Sequence, residues 1–323
     1  MKILFLIHYY PPNSCAGGEM YCHNLAKYFI TKGHEVIVLL QPEYRGRENK
    51  ELIYEGVNIS LAYSDEFRYV SWSDVVFTHL DLTNMTIEAV KKTRPIVWIA
   101  HNTFFNSYES VLDQDNIFVI YNSHTAKKMS PLKNKSCVLR PPCYVKEVLT
   151  NTIDNEFITL INVSKDKGGE ILKQIAKKMP DRKFLAVLGA YGNQVTGFSR
   201  NVKVMPHTNN IQEVYKKTRL ILMPSVYESW GMVGTEAMHH GIPVLSSDCC
   251  FGLKENLSKA GTFIELNNIS KWVNAIKLYD SKIIYETTSY KGTIRADELN
   301  PEWTLSATED DVKVFVENFY KSL

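Results

Sequence analysis

The sequence predicts an α/β protein with two doubly wound domains facing a cleft. Short runs rich in β-branched residues alternate with segments whose apolar residues recur at helical spacing, which is typical of parallel sheets covered by helices on both faces. Adjacent prolines interrupt this pattern in LRPPCY (Leu139–Tyr144), which resembles a linker, and the pattern then starts again. A chain of 323 residues is long for one hydrophobic core and suits two domains.

Composition and charge exclude several classes of protein. Apolar residues make up 45% of the chain and charged residues 22%, which is typical of a folded chain rather than a disordered one. The net charge of +2 is shared by both halves, so neither is a strongly basic nucleic-acid module. No apolar run reaches the roughly 18 residues of a membrane span, and the opening MKILFLI favours a buried strand over a secretory signal. The six cysteines lack paired CxxC spacing, which predicts reduced thiols in a cytoplasmic protein rather than a zinc site or disulfides.

The first domain, residues 1–143, is predicted to open on a buried strand and to alternate from there. Its helix Glu19–Thr31 has apolar residues at helical spacing and ends before Gly33, a residue that commonly terminates helices. Gly17 and Gly18 are placed in the loop before this helix. The predicted strands are KILFLI, EVIVLL, VNISLA, DVVFTH, PIVWIA and NIFVIY.

The second domain, residues 144–300, repeats the alternation. Its predicted strands are FITLINV, KFLAVLG, NVKVM, RLILMPS and IPVLSS, and its predicted helices are Gly169–Lys178, Ile211–Thr218 and Met232–His240. A break at Pro301 and Trp303 is expected before a last helix at about Thr308–Lys321. The C-terminal residues 301–323 are expected to pack back on the first domain.

The segment YESWGMVGTEAMHHGIPV places two carboxylates, Glu228 and Glu236, eight positions apart with no charge between them. Glu228 follows the strand RLILMPS, and open α/β sheets bind ligands beyond the carboxyl ends of their strands. The next helix is expected to start near Gly231, so that unpaired amides at its beginning favour an anion such as a diphosphate. Carboxylates repel phosphate and accept hydrogen bonds from hydroxyls. A diphosphate with hydroxyls on both sides is a nucleotide sugar.

Several further motifs accompany this segment in order along the chain. PPNSCAGGEM precedes the first helix, GHEV precedes the second strand, NSHTAKKM and RPPC end the first domain, and KGGEILKQIAKKMPDRKFLAVLGAYG opens the second. Together with the paired acids, EAM and G-x-P-V, these motifs resemble the retaining family four of GT-B glycosyltransferases, also called glycosyl transferases group 1. The resemblance covers most of the chain and implies two Rossmann-like domains.

The resemblance implies a role for each candidate residue. Glu236 would hold the ribose hydroxyls, while Glu228 would bind the donor sugar near its reacting carbon. His101, directly after PIVWIA, would contact the same sugar. The diphosphate would be bound by backbone amides of Gly17, Gly18, Ser229, Trp230, Gly231, Met232 and Val233.

Positive charge is expected near the diphosphate because negative charge develops there as the sugar bond breaks. In the resemblance, Lys167 of INVSKDKGG matches one cation of the family. Asn162 stands where the family has an arginine, and Lys165 is the alternative that could compensate. His207 of VMPHT is expected beside the nucleotide base, where a backbone contact is favoured over a side-chain role.

The resemblance further implies a metal-independent hexosyltransferase with no cofactor besides its co-substrate, a nucleotide diphosphate sugar, for which a UDP-sugar is expected. The acceptor would be a saccharide or a lipid-linked glycan, and a hydroxylated base in DNA is the less common case. A nucleotide-sugar epimerase and a non-catalytic nucleotide-binding module remain as alternatives of other classes. The run TAKKMSPLKNKS carries Lys127, Lys128, Lys133 and Lys135 and no acid, which favours either a solvated surface or weak peripheral contact with an anionic membrane face or phosphate backbone.

Overall fold

The opening apolar run forms the central strand of a large mixed sheet. The computed structural model describes residues 1–40, 51–61, 66–111, 114–145, 147–299 and 302–323. The strands of the first sheet are β1 (Lys2–Ile7), β2 (Glu35–Leu40), β3 (Glu51–Tyr54), β4 (Val57–Ser60), β5 (Val75–His79), β6 (Ile96–Ala100), β7 (Ile117–Tyr121) and β8 (Ser136–Val138). Their order is β3-β4-β2-β1-β5-β6-β7-β8, and all neighbours are parallel except the antiparallel pair β3–β4.

Strand β1 is buried on both faces. Ile3, Phe5 and Ile7 join one apolar cluster, while Leu4 and Leu6 join another on the opposite face, as the alternation of side chains along a strand requires. The helices that follow in this half are α1 (Gly17–Thr31), α2 (Glu66–Trp72), α3 (Thr83–Val90) and α4 (His124–Met129). The connections run outward in opposite directions from β1 and β5, so the topological switch point lies between these two strands.

The second half of the chain forms a sheet of six parallel strands. These are β9 (Phe157–Ile161), β10 (Phe184–Val187), β11 (Val202–Met205), β12 (Thr218–Met223), β13 (Val244–Ser247) and β14 (Gly261–Ile264), in the order β11-β10-β9-β12-β13-β14. Its helices are α5 (Gly169–Lys178), α6 (Gln212–Tyr215), α7 (Met232–His239), α8 (Phe251–Leu257), α9 (Ile269–Leu278) and α10 (Lys282–Glu298). The switch point of this sheet lies between β9 and β12.

The chain divides into two units, Met1–Pro142 with Pro301–Leu323, and Cys143–Asn300. The division falls in the predicted linker, one residue before the boundary expected after Cys143. The last helix, α11 (Glu302–Ser322), belongs to the first unit, where Leu305, Val312 and Phe315 join the apolar cluster around Ile3.

Three predicted element bounds are wrong in an informative way. Helix α1 begins at Gly17, with Ala16 as its N-cap, so the paired glycines form its first turn rather than a preceding loop. Helix α6 ends at Tyr215 because β12 already pairs with β9 from Thr218. Trp303 lies within α11 and not in a break before it, since the buried face of this helix extends back to Leu305; Pro301 lies outside the described residues.

The alternation of strands and helices is confirmed, and the two sheets hold every strand that the sequence predicted. In the described part of the chain, none of the helices has both the length and the apolar character needed to cross a membrane.

Candidate functional site

The switch point of the second unit brings together two of the predicted catalytic residues. The Lys167 ammonium lies 2.6 Å from Oε1 of Glu228, and Ser225 Oγ donates to the same oxygen at 3.1 Å. The Lys167 side chain is 31% exposed and the Glu228 side chain is 13% exposed, so the ion pair lies at the surface of the unit without being fully solvated. A cation and a carboxylate that are 61 residues apart in sequence therefore form one polar centre.

Backbone geometry explains why these loops meet. Gly168, the N-cap of α5, has φ of +90°, and a Cβ at this position would lie 2.3 Å from the carbonyl oxygen of Pro224 at the end of β12. Only glycine allows so close an approach in this conformation. The Val226 amide also donates to the Asp166 carbonyl at 2.8 Å, which fixes the loop after β12 against the loop after β9.

Buried side chains near the beginning of α7 fix its first turn through hydrogen bonds. Gly231 is the N-cap with φ of +86°, and Asn256 donates to the carbonyls of Trp230 and Gly231 at 3.0 and 2.9 Å. The Trp230 ring is buried and its Nε1 donates to Thr235 Oγ1 at 3.1 Å, so this residue can offer a ligand only its backbone. The carbonyl of Ser229 lies where a Cβ on Gly252 would be, at 2.3 Å. Thus the amides of Met232 and Val233, in the first helical turn, have fixed positions and no carbonyl one turn back to bind.

Glu236 lies in the second turn of the same helix and has a hydrogen-bond donor that the sequence analysis missed. The Tyr215 hydroxyl donates to Glu236 Oε2 at 2.5 Å. Burial raises the pKa of the Glu236 carboxyl, and the bond from Tyr215 partly opposes that shift. Burial also raises the pKa of Tyr215 well above its usual value, with the charge of Glu236 adding to the effect, so the phenol remains a donor at neutral pH.

Support for Tyr215 comes from the C-terminal end of α7. The His240 ring packs against the Tyr215 ring with centroids 5.0 Å apart, and His240 is the C-cap of the helix that carries Glu236. The only sequence signal for Tyr215 was a helical segment just before β12. Since nothing in that segment indicates which helix the tyrosine faces, its role emerges only from the fold.

The remaining candidates of the second unit are Asn162, Lys165 and His207. Asn162, in the place of the expected arginine, has φ of +65° and uses Oδ1 to accept from the Ser164 amide at 3.2 Å. Its side chain shapes its own loop, while Lys165 is exposed. His207 is exposed beyond the end of β11 and contacts Asn209 Oδ1 at 3.2 Å, so no contact in the described structure ties it to Glu228 or Glu236.

In the first unit, Gly18 and His101 lie close together at the switch point. A Cβ on Gly18 would lie 3.8 Å from the His101 ring and 3.7 Å from Cε1 of His79, which are ordinary contact distances. Gly17 is exposed at the beginning of α1. Gly18 is absent from the described residues with positive φ, so no left-handed backbone conformation requires a glycine at this position.

His101 itself follows β6, as predicted, with Nε2 buried and without a hydrogen-bond partner among the described residues. Burial lowers the pKa of this histidine to about 4, so it is neutral at physiological pH. Its ring also packs edge-on against Tyr21, whose hydroxyl donates to the Leu139 carbonyl at 3.0 Å.

Two further residues beside His101 escaped the sequence analysis. His79 ends β5, and its ring centroid lies 4.9 Å from that of His101. Cys22 Sγ, from α1, lies 3.8 Å from His79 Nδ1. One ligand atom from each of the three side chains lies within 4.8 Å of the others, an arrangement able to hold a metal ion. Strand order, and not sequence spacing, brings these three residues together.

The sequence also contains one Asp-x-Asp tripeptide, Asp113–Asp115. Asp113 lies outside the described residues, and Asp115 is exposed just before β7. This position is at the amino end of a parallel strand, whereas both candidate sites lie at carboxyl ends.

The four lysines of the basic run, Lys127, Lys128, Lys133 and Lys135, are all exposed. Lys127 donates to the Ser136 carbonyl at 3.1 Å. Their exposure fits either a solvated surface or contact with an anionic one.

Part of the second unit is similar to a known family. Residues 162–279 match the family described as glycosyl transferases group 1. An uncharacterized glycosyltransferase of Haemophilus influenzae is 24% identical over 144 residues, which are 41% of this chain and 40% of that protein. The match therefore spans less than half of the relative's length.

Solved structures resemble the chain along its whole length. Sucrose-phosphate synthase from Thermosynechococcus elongatus has a TM-score of 0.79 at 14% identity, with 100% of both chains covered. Anabaena HepE in complex with UDP-glucose has a TM-score of 0.75 at 17% identity, again with 100% of both chains covered. At such low identities, the likeness establishes the fold alone.

Proposed function

Because the chain has the GT-B fold and its residues 162–279 belong to the glycosyl transferases group 1 family, we propose that it transfers a sugar from a nucleotide diphosphate sugar to a hydroxyl acceptor. A UDP-sugar is the proposed donor, in line with the UDP-glucose bound by the structurally similar HepE. The proposed acceptor is a saccharide or a lipid-linked glycan, and the proposed stereochemical course is retention.

The observation that carries this proposal is the ion pair of Lys167 and Glu228 at the switch point of the second sheet. On neighbouring loops of the same unit, the Met232 and Val233 amides begin α7 and the Glu236 carboxylate follows one turn later. A nucleotide diphosphate sugar needs donors for its diphosphate and acceptors for its sugar hydroxyls on both sides. These residues offer both kinds of group.

In the proposed mechanism, Lys167 and the α7 amides bind the diphosphate. The bond between the anomeric carbon and the diphosphate oxygen breaks, and negative charge develops on the leaving oxygen. Fixed donors stabilise this charge more in the transition state than in the ground state. Lys167 can then exchange part of its contact with Glu228 for the diphosphate, while Glu228 accepts a hydrogen bond from a sugar hydroxyl.

The acceptor hydroxyl then attacks the anomeric carbon on the same face from which the leaving group departs. Its proton passes to the departing diphosphate oxygen, which becomes more basic as the bond breaks. No carboxylate nucleophile is required by this route, so Glu228 acts by holding the sugar. Glu236 accepts hydrogen bonds from the ribose hydroxyls.

For the first unit, we propose two roles that rest on the sequence resemblance and a third that rests on charge. His101 contacts the donor sugar through its neutral ring, and the amides of Gly17 and Gly18 at the beginning of α1 contact phosphate oxygens. The exposed lysines of the basic run attract an anionic surface weakly. Each of these roles awaits its own variant.

The experiment that tests the function is a screen of purified protein against several nucleotide sugars, with and without acceptors. The acceptors are a saccharide set, a lipid-linked glycan and DNA containing hydroxymethylated bases, and the readouts are nucleoside diphosphate release and product mass. The proposal predicts a glycosylated saccharide or lipid-linked product together with acceptor-dependent nucleoside diphosphate release.

Three other outcomes would contradict that proposal. A changed sugar in the donor without any acceptor would indicate an epimerase. Binding without turnover in every arm would indicate a nucleotide-binding module. Product only in the DNA arm would replace the glycan acceptor with a base, while leaving glycosyl transfer intact.

A further inference from the structure

Three neighbouring strand ends of the first unit carry histidines. His8 follows β1, His79 ends β5 and His101 follows β6, and these strands are adjacent in the order β1-β5-β6. Because parallel strands end at the same edge of a sheet, the three side chains are brought to one place. Helix α1 adds Cys22 beneath His79.

We propose that Cys22, His79 and His101 form a binding site for a zinc-like divalent cation. Thiolate and neutral imidazole are the ligands that zinc prefers, and three protein ligands leave the fourth tetrahedral position open for water. Zn–S and Zn–N bonds of about 2.3 and 2.0 Å place tetrahedral ligand atoms roughly 3.5 Å apart. The 3.8 Å between Cys22 Sγ and His79 Nδ1 is close to this value, and the widest pair, at no more than 4.8 Å, closes by small side-chain rotations.

The polar atoms of this cluster favour a ligand over simple packing. His101 Nε2 is buried without a hydrogen-bond partner among the described residues, which costs free energy that a metal bond would offset. A neutral imidazole has one ring nitrogen whose lone pair can bind a cation. The buried Cys22 side chain is a free thiol that carries one proton. Binding then forms one metal–sulfur bond and releases that proton to solvent.

The three side chains of the cluster differ in their exposure. Cys22 and His79 are buried, whereas His101 is half-buried. Gly18, in the first turn of α1, lies against both imidazoles, since a Cβ there would be 3.7 Å from His79 Cε1 and 3.8 Å from the His101 ring. The open coordination position would therefore face the side on which His101 is partly exposed.

A bound cation has a consequence that rests on the proposed function. It would occupy the His101 ring that we propose for the donor sugar, so zinc would inhibit transfer rather than support it. The metal site would then link enzymatic activity to the availability of thiophilic metal.

Cobalt is the probe that tests the site without any turnover, since tetrahedral cobalt bound to thiolate has a strong near-ultraviolet charge-transfer band. Metal-free wild-type protein should develop this band and saturate at one equivalent of Co²⁺, and zinc should abolish it. Cys22→Ser should lose the band, and His79→Gln should weaken cobalt binding at least tenfold. Cys137→Ser is the matched control, because Cys137 is a partly buried thiol of the same unit that contacts Thr308 instead.

A wild-type protein with no thiolate band at stoichiometric cobalt would overturn the site, and so would a band that persists in Cys22→Ser. The second result would point to other thiols such as Cys249 and Cys250. If Cys22→Ser does not fold, anomalous diffraction from a zinc-soaked wild-type crystal gives the same answer, since the peak must lie within bonding distance of all three side chains. The cobalt test requires no turnover. A protein that shows no glycosyl transfer in the screen could still bind cobalt at this site, so the two proposals are tested independently.

Discussion

The Lys167 ammonium and the Glu228 carboxylate form a direct ion pair, 2.6 Å long, across the switch point of the second sheet. Each satisfies the charge of the other when no substrate is bound. In the proposed mechanism, the pair keeps a lysine available for a diphosphate and a carboxylate available for sugar hydroxyls, and neither partly buried charge is left alone.

Lys167 should matter far more than the lysine two residues before it. Removing a fixed donor at a site of developing charge typically lowers kcat by roughly 10²–10³-fold, and we expect Lys167→Met to do so. Lys165→Met is the matched control, because Lys165 is exposed on the same loop. Steady-state kinetics of both variants provide the measurement. Similar kcat values for the two would assign the role to the general charge of the loop and not to Lys167.

Glu228→Gln should strongly reduce transfer while nucleoside diphosphate affinity stays within a few-fold of the parent. The reason is that Glu228 is assigned to the sugar, which the free nucleotide lacks. Kinetics and calorimetry on the same preparation separate the two effects. Undiminished turnover would remove Glu228 from the mechanism.

Nucleotide binding should depend on pH through Glu236. In the proposed complex, the ribose hydroxyls donate to the ionised carboxylate, so binding would lower a pKa that burial has raised in the free protein. Affinity is therefore greatest above the raised pKa and falls as the pH drops through it. Glu236→Ala should lose this dependence together with the two hydroxyl bonds, each worth roughly 1.5–3 kcal/mol.

Tyr215→Phe should move that fall in affinity to higher pH. The tyrosine hydroxyl stabilises the ionised carboxylate, so its loss raises the Glu236 pKa further. Tyr279→Phe is the control, since it loses a buried hydroxyl bonded to Thr262 instead. Calorimetry across a pH series tests this role. An unchanged pH profile with uniformly weaker binding would mean that Tyr215 is merely structural.

Gly231→Ala should destabilise the second unit much more than Gly192→Ala. Both glycines have positive φ, so both variants carry a backbone strain of about 1–2 kcal/mol. At Gly231 the new Cβ would also lie 2.4 Å from Leu253 Cδ2, whereas at Gly192 it meets nothing within 4 Å. Chemical denaturation measures the difference. Equal free energies of unfolding would show that the beginning of α7 adjusts easily.

Transfer activity should survive excess EDTA, because the proposed diphosphate contacts are Lys167 and backbone amides. Activity that zinc lowers should return when EDTA is added. Loss of activity in EDTA, restored by magnesium or manganese, would mean that a metal belongs in the diphosphate site.

The sequence indicated the architecture because buried parallel strands are continuous apolar runs, as in KILFLI and PIVWIA. The loop after a buried strand indicated Glu228, the helix that follows indicated Glu236, and the family resemblance indicated Lys167 and the ribose role of Glu236. The sequence missed Tyr215, His79 and Cys22, which lie within elements where a polar residue can face in any direction until the fold is known. It also placed Gly17 and Gly18 in a loop, since glycine usually ends helices and only the N-cap at Ala16 shows that a helix starts here.

The central claim is that the second unit holds a nucleotide diphosphate across Lys167 and α7. A crystal structure of the protein with UDP tests it most directly. We predict ribose hydroxyls within hydrogen-bonding distance of the Glu236 carboxylate, and phosphate oxygens on Lys167 Nζ and the amides of Met232 and Val233. A nucleotide bound with its ribose away from Glu236, or with its phosphates away from α7, would contradict the account.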